Sequence, residues 1–365
     1  MMQLTNGPDR RPIAFGRPLR ILRADHPSDV ITVLDAAEAA LAAGHWVAGL
    51  LAYEAATAFE PRLAGLPLGD GPLVHLGVFD APVIAPSPVT PAPLPRFSPV
   101  ITQAEHEARV ARVLDYIAAG DCYQVNLTLP LRAETEAPPA ALWAALLARQ
   151  PVPHAALVTL PEAPALISLS PESFFSLDGA CGIRTRPMKG TRPRHADPAA
   201  DSAAARELAR SEKDRAENLM IVDLLRNDIS RLCRPGSVKV PLLWHVEPYA
   251  TVHQMVSEVT GQLRPGTGLA EVITALFPCG SITGAPKIRA MQIIAELEAR
   301  PRGAYCGAIG WAAPDGRAAF NVAIRTLIAE DGGLTLNVGG GVVADSTPAG
   351  EWQEALWKSR FANPD

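Results

Sequence analysis

The stretch GAIGWAAPDGRAAFNVAIRTLIAEDGGLTLNVGGGVV, residues 307–343, decides the fold class. Three strand-like runs lie within it, at Gly307–Trp311, Ala319–Leu327 and Leu334–Val343, with no helical pattern between them. That order fits an α+β fold with antiparallel sheets better than a doubly wound parallel sheet, whose strands alternate with helices. Upstream, Ala165–Leu169 reads as another strand. Tyr123–Leu129 alternates strictly, with Tyr123, Val125, Leu127 and Leu129 on one face and Gln124, Asn126 and Thr128 on the other. Helical spacing predicts helices near 203–232, 285–299 and 348–361. A further amphipathic helix starts at the capping box Thr102…Glu105 and runs to Gly120.

Ahead of that helix, APVIAPSPVTPAPLP (81–95) is too rich in proline for a helix or a central strand. It predicts an extended connector closing an N-terminal portion, 1–96, with a core from 97 to 365. A hydrophobic fraction of 48% is ample for a large core, and a net charge of −5 with dispersed Lys and Arg argues against a nucleic-acid partner. No stretch has the length of a signal peptide's apolar region or of a membrane span, so a cytoplasmic protein is expected. Cys122, Cys181, Cys233, Cys279 and Cys306 are odd in number and never form a C-x-x-C pair, so they are expected to be reduced and mostly buried.

Several segments could carry chemistry. Asp214 and Glu217 share one helix face, as do Glu351 and Glu354, with Lys358 four residues on. Two such pairs could converge on a hard cation such as Mg2+, although taken alone each pair reads first as a solvated face. Arg325, amid the apolar residues of AFNVAIRTL, suits bidentate capture of a carboxylate or a structural salt bridge equally well. Gly339–Gly340–Gly341 could let the backbone donate N–H groups to an anion, or could form a glycine bulge. His253 is a proton-transfer group or a core histidine. CGSITGAPK lacks Walker spacing, and neither a dinucleotide fingerprint nor a G-x-S-x-G elbow is present.

SPESFF (170–175), RPMKGTRPR (186–194), DRAENLMIVDLLRND (214–228), HQMVSEVTGQL (253–263), FPCGSITGAPK (277–287), RGAYCGAIG (302–310) and GGGVVADS (339–346) occur in this order. Together they resemble the chorismate-utilising family, the anthranilate synthase component I group that also includes aminodeoxychorismate, isochorismate and salicylate synthases. The resemblance implies one catalytic domain of two antiparallel sheets packed face to face with helices outside. It implies a buried site for chorismate and Mg2+. Asp214, Glu217, Glu351 and Glu354 would surround the metal, with Glu217 and Glu354 as direct ligands. Arg325, Tyr305 and the backbone of Gly339 and Gly341 would hold the enolpyruvyl carboxylate, while His253, Thr191 (beside Gly190) and Lys358 would lie around the ring.

Two positions separate the branches of that family. Gln124 stands where water-adding relatives carry a lysine base, and an amide cannot deprotonate water. Lys189, within Pro187-Met188-Lys189-Gly190-Thr191, stands where anthranilate synthases carry alanine, and it marks aminodeoxychorismate synthase. The resemblance therefore implies that Lys189 attacks chorismate covalently, that Glu172 acts as the acid, and that ammonia replaces the C4 hydroxyl for 4-aminobenzoate and folate synthesis. No cysteine lies in a G-x-C-x-G elbow, so the resemblance implies a separate glutamine amidotransferase subunit, and with no lyase segment after residue 365 a separate aminodeoxychorismate lyase is expected. An anthranilate synthase or a catalytically silent chorismate-binding paralogue are the alternatives.

Overall fold

Nineteen strands form among the described residues, and every pairing between them is antiparallel. The computed structural model describes residues 1–86, 89–249, 252–330 and 332–364. One nine-stranded sheet runs Gly284–Ala285, Gln124–Glu134, Gly333–Val342, Thr326–Glu330, Ala165–Ser170, His154–Val158, Met2–Leu4, Ile13–Phe15, with Ser98–Pro99 beside Gln124–Glu134. A ten-stranded sheet runs Met188–Pro193, Val252–Gln262, Gly182–Arg186, Ser173–Asp178, Arg317–Val322, Ala308–Ala312, Trp46–Leu51, Val74–Phe79, Arg20–Ala24, with Lys239–Pro248 beside Val252–Gln262.

The two sheets face each other across one apolar layer. Met2, Phe15 and Leu166 of the first meet Leu50, Phe79 and Trp311 of the second. Phe15 lies 4.8 Å from Phe79 and 5.9 Å from Trp46, ring centre to ring centre. Pro27–Ala42, Glu212–Ser230 and Leu269–Leu276 cover the outer face of the larger sheet, and Pro139–Arg149 and Pro348–Ser359 that of the smaller. Strands upstream of the proline-rich segment enter both sheets, so the chain forms a single α+β domain. Among the described residues of 81–95 only an isolated bridge, Val83 to Ala14, interrupts irregular backbone.

Two expectations need correction, and one alternative falls away. Ala319–Leu327 is not one strand: the chain leaves the larger sheet at Val322 and enters the smaller at Thr326. Asn321, Val322 and Ala323 are all buried, so this passage is packed on every side and alternation carried no information about its face. The helix expected over 203–232 is two, Pro198–Arg210 and Glu212–Ser230, because Ser211 leaves helical geometry to accept a hydrogen bond from the N–H of Asp214. The glycine run makes no bulge, since Gly333–Val342 pairs residue for residue with its neighbour. Elsewhere the capping box at Thr102 forms as expected. Four cysteines are buried and unpaired, while Cys181 lies exposed in a turn.

Candidate active site

A cavity of about 650 Å3 opens where ends of both sheets meet the first turns of Glu212–Ser230 and Pro348–Ser359. Lys189, Gly190 and Thr191 reach it from Met188–Pro193, a strand whose register shifts between Met188 and Thr191. Gly190 has φ +81°, and a Cβ there would stand 2.8 Å from the Asp214 carboxylate. Only glycine lets this strand press against that helix. Burial lowers the Lys189 ammonium from its usual value, against the pull of the Glu217 and Glu172 carboxylates.

Glu172 is held where the chain passes between sheets. The Ser170 hydroxyl binds the Val322 carbonyl at 2.6 Å and accepts from the Glu172 N–H at 3.2 Å. Burial pushes the Glu172 carboxyl up to about 7, opposed by a bond from Ser281 and by Lys189, and its Oε1 has no hydrogen-bond partner among the described residues. An acid and an amine thus face one cavity, each displaced toward neutrality.

All four acidic residues singled out in the sequence line the cavity. Asp214 accepts from Arg192 at 3.1 Å, Glu351 from Ser346 at 2.6 Å, and Glu354 pairs with Lys358 at 2.7 Å. Burial and the nearby Asp214 and Glu354 charges raise Glu217, and burial raises Glu351. Burial works upward on Glu354 too, but Lys358 outweighs it. Among the described residues no three of these groups already converge as ligands. Their chemistry nevertheless fits a hard divalent cation: oxygen donors from two helices, with the Glu354 charge adding to burial in raising both Glu217 and Glu351. Gly340 supplies the room, for a Cβ there would lie 2.6 Å from Glu351 Oε2 and 3.2 Å from Glu354 Oε1.

Arg325 lies in the crossing between sheets at φ +49° and lines the cavity. Its guanidinium has no hydrogen bond or ion pair among the described residues, and burial lowers its proton affinity. The salt-bridge alternative therefore has no partner. Tyr305 and Gly339 are buried at the cavity wall and Gly341 is half-buried there, and Lys358 donates to the Gly339 carbonyl at 2.8 Å.

Two expected residues fall outside the lining. His253 turns away from the cavity and meets Asp201 at 2.9 Å, because its neighbour on Val252–Gln262 takes the inward face. That neighbour, Gln254, accepts from the Thr191 hydroxyl at 2.9 Å and donates to the Gly190 carbonyl at 2.8 Å. Gln124 is buried behind Gly341, whose added Cβ would stand 3.0 Å from its amide carbon, and neither amide atom is paired. Sequence reasoning missed Gln254, Asn126, Arg192 and Lys213. Only the pairing of Thr191 with Gln254, a tertiary register, distinguishes Gln254 from His253.

Residues 85–364 match the chorismate binding enzyme family. Aminodeoxychorismate synthase component 1 of Salmonella typhimurium is 46% identical over 265 residues, 72% of this chain and 58% of that protein. Anthranilate synthase component 1 of Streptomyces coelicolor is 44% identical over 260 residues, 71% of this chain and 51% of that protein. The chain thus spans little more than half the length of these relatives. Anthranilate synthase component I from Streptococcus pneumoniae TIGR4 superposes with a TM-score of 0.85 at 25% identity, covering 96% of this chain and 92% of that one. With its motifs gathered on one cavity between two antiparallel sheets, the chain belongs to the chorismate binding enzyme family.

Proposed function

We propose that this chain makes 4-amino-4-deoxychorismate from chorismate and ammonia, as an aminodeoxychorismate synthase component 1 with a covalent intermediate at Lys189. The observation that carries the reading is Lys189 itself, a partly buried amine of lowered proton affinity lining the same cavity as a carboxyl raised to about 7. Residues 1–96 are taken as the N-terminal portion of the fold and 97–365 as the chorismate-binding core. Asp214, Glu217, Glu351 and Glu354 would hold Mg2+, which when bound supplies positive charge that draws electron density from the substrate ring.

The rest is work for the chain's own side chains. Arg325, with no partner among the described residues, would take a substrate carboxylate, aided by Tyr305 and the backbone at Gly339 and Gly341. Lys358, Thr191 and Gly190 would border the ring. Neutral Lys189 attacks C2, the ring double bond shifts, and the C4 hydroxyl departs as water with the proton of Glu172. The Glu172 carboxylate recovers a proton from the new secondary ammonium. Ammonia then attacks C4, the double bond shifts back, and Lys189 leaves as a neutral amine with the proton of Glu172, which the new C4 ammonium restores to that carboxylate.

The ammonia would come from glutamine through an amidotransferase subunit, and a separate lyase would release 4-aminobenzoate. Anthranilate synthesis is the second reading, favoured by the similar identity to relatives of that name. Enzyme given chorismate and Mg2+ without ammonia should gain the mass of chorismate minus water, and Lys189→Ala should not. With ammonium, Lys189→Ala should lose most 4-amino product and form a trace of the 2-amino isomer. Wild-type production of the 4-amino compound by Lys189→Ala would remove covalent catalysis.

A further inference from the structure

A second polar cluster lies behind the cavity wall, and none of its charged groups takes part in the chemistry above. Arg302 is 3% exposed, and its guanidinium sits 4.9 Å from the centre of the Tyr53 ring and 5.7 Å from that of Tyr305. It donates to both oxygens of Glu298 at 2.6 and 3.0 Å, to the Ile282 carbonyl at 3.2 Å and to the Asn126 carbonyl at 2.6 Å. Glu298 in turn accepts from the N–H of Thr128 at 2.9 Å. Three of the tethered segments carry a cavity residue: Asn126, Ile282 and Tyr305.

The other end of the cluster belongs to the N-terminal portion, ahead of the family match at 85–364. Glu54 is 3% exposed, and its two oxygens accept from the backbone N–H groups of Arg302 at 2.6 Å and Gly303 at 3.0 Å. The N–H of Tyr53 donates to the Gly303 carbonyl at 2.8 Å. Gly303 has φ +61°, and the turn that leads to Tyr305 is held from outside by the Glu54 carboxyl and the Tyr53 N–H.

We propose that Arg302 and Glu54 are positioning residues of the substrate site, Arg302 tying Asn126, Ile282 and Tyr305 to one buried guanidinium and Glu54 locking the turn that carries both Arg302 and Tyr305. The N-terminal portion thereby helps to build the substrate site without touching the substrate. The network is fully buried and bidentate, so it can hold backbone at several points at once, which separate apolar contacts would do with less directional control. Lys189 belongs to Met188–Pro193 and the Glu172 N–H is held by Ser170, neither of which Arg302 or Glu54 touches. The network reaches these two residues only through Ser281, next to Ile282, whose carbonyl accepts from the Lys189 amine at 3.4 Å and whose side chain bonds the Glu172 carboxyl. Disturbing the network should therefore weaken substrate binding more than the chemical steps.

This inference rests on the cavity being the chorismate site, and the test separates the two. Chorismate binding with Mg2+ is measured by calorimetry, and KM and kcat with ammonium, for the full chain and for Glu54→Gln and Arg302→Lys. Glu54→Gln keeps the shape but turns an N–H donor toward a backbone N–H. Absence of binding by the unaltered chain would remove the reading of the cavity itself. Given binding, KM and the dissociation constant should rise about tenfold in both variants, with kcat changed less than about threefold. Unchanged KM, or equal losses in KM and kcat, would overturn the positioning role. Should Arg302→Lys fail to fold, Glu54→Gln decides alone, and its own failure to fold would make the network structural only.

Discussion

Glu172 has its reactivity set by where the fold places it. Its carboxyl rises from 4.5 in a free chain to about 7, with burial as the largest cause. Adduct formation needs Glu172 protonated and Lys189 neutral, so without ammonia its rate should fall as pH climbs through about 7. Glu172→Gln should lose that limb and about a hundredfold or more in rate. A wild-type rate that stayed flat across this range would show that another group supplies the proton. The same shift has a consequence for stability with a definite sign. The folded state binds this proton more tightly than the unfolded chain does, so stability is present below pH 4.5 and lost as pH rises through 7. The melting temperature of Glu172→Gln should therefore gain on that of the unaltered protein between about pH 5 and about pH 8.

Among elements, the strand Gly333–Val342 and the helix Pro348–Ser359 make the acidic part of the site together. Thr347 caps the helix by accepting from the N–H of Gly350, and its first turns bring Glu351 and Glu354 over Gly340. Gly340 does not need an unusual φ, so Gly340→Ala should fold normally. Its added methyl would meet flexible carboxylate ends rather than backbone, and those ends must move. Apparent Mg2+ affinity should fall about tenfold, as carboxylates driven out of ligand geometry lose their ion. Mg2+ titration followed by calorimetry measures it, and an unchanged affinity would place the ion elsewhere. Glu217→Gln, on the opposing helix, should abolish turnover without unfolding the chain. The period of the two helices made these acid pairs visible in the sequence. The glycine that gives them room was not, because its reason lies on the facing helix.

At the scale of the whole molecule, the reading assigns ammonia use to this chain and glutamine hydrolysis to a partner. Purified chain should form 4-amino product with ammonium and Mg2+, and none with glutamine. Glutamine-dependent product from rigorously purified chain would overturn that division. No helix among the described residues is long and apolar enough to cross a membrane.

Local chemistry in the sequence was enough for the α+β class, the capping box at Thr102 and the acid pairs on their helix faces. Each of these depends on neighbours within a few residues, which periodicity and motif order record. Contacts between distant segments were decided by the tertiary structure alone. Antiparallel register turned Gln254 rather than His253 toward the cavity, and the passage of Val322–Thr326 from one sheet to the other delivered Arg325 there without a partner among the described residues. It was also tertiary packing that brought Glu54 against Arg302, 248 residues apart, and drew the proton affinities of Glu172 and Lys189 toward each other by removing both from water. Desolvation and sheet register are properties of surroundings, and a sequence specifies surroundings only once it has folded.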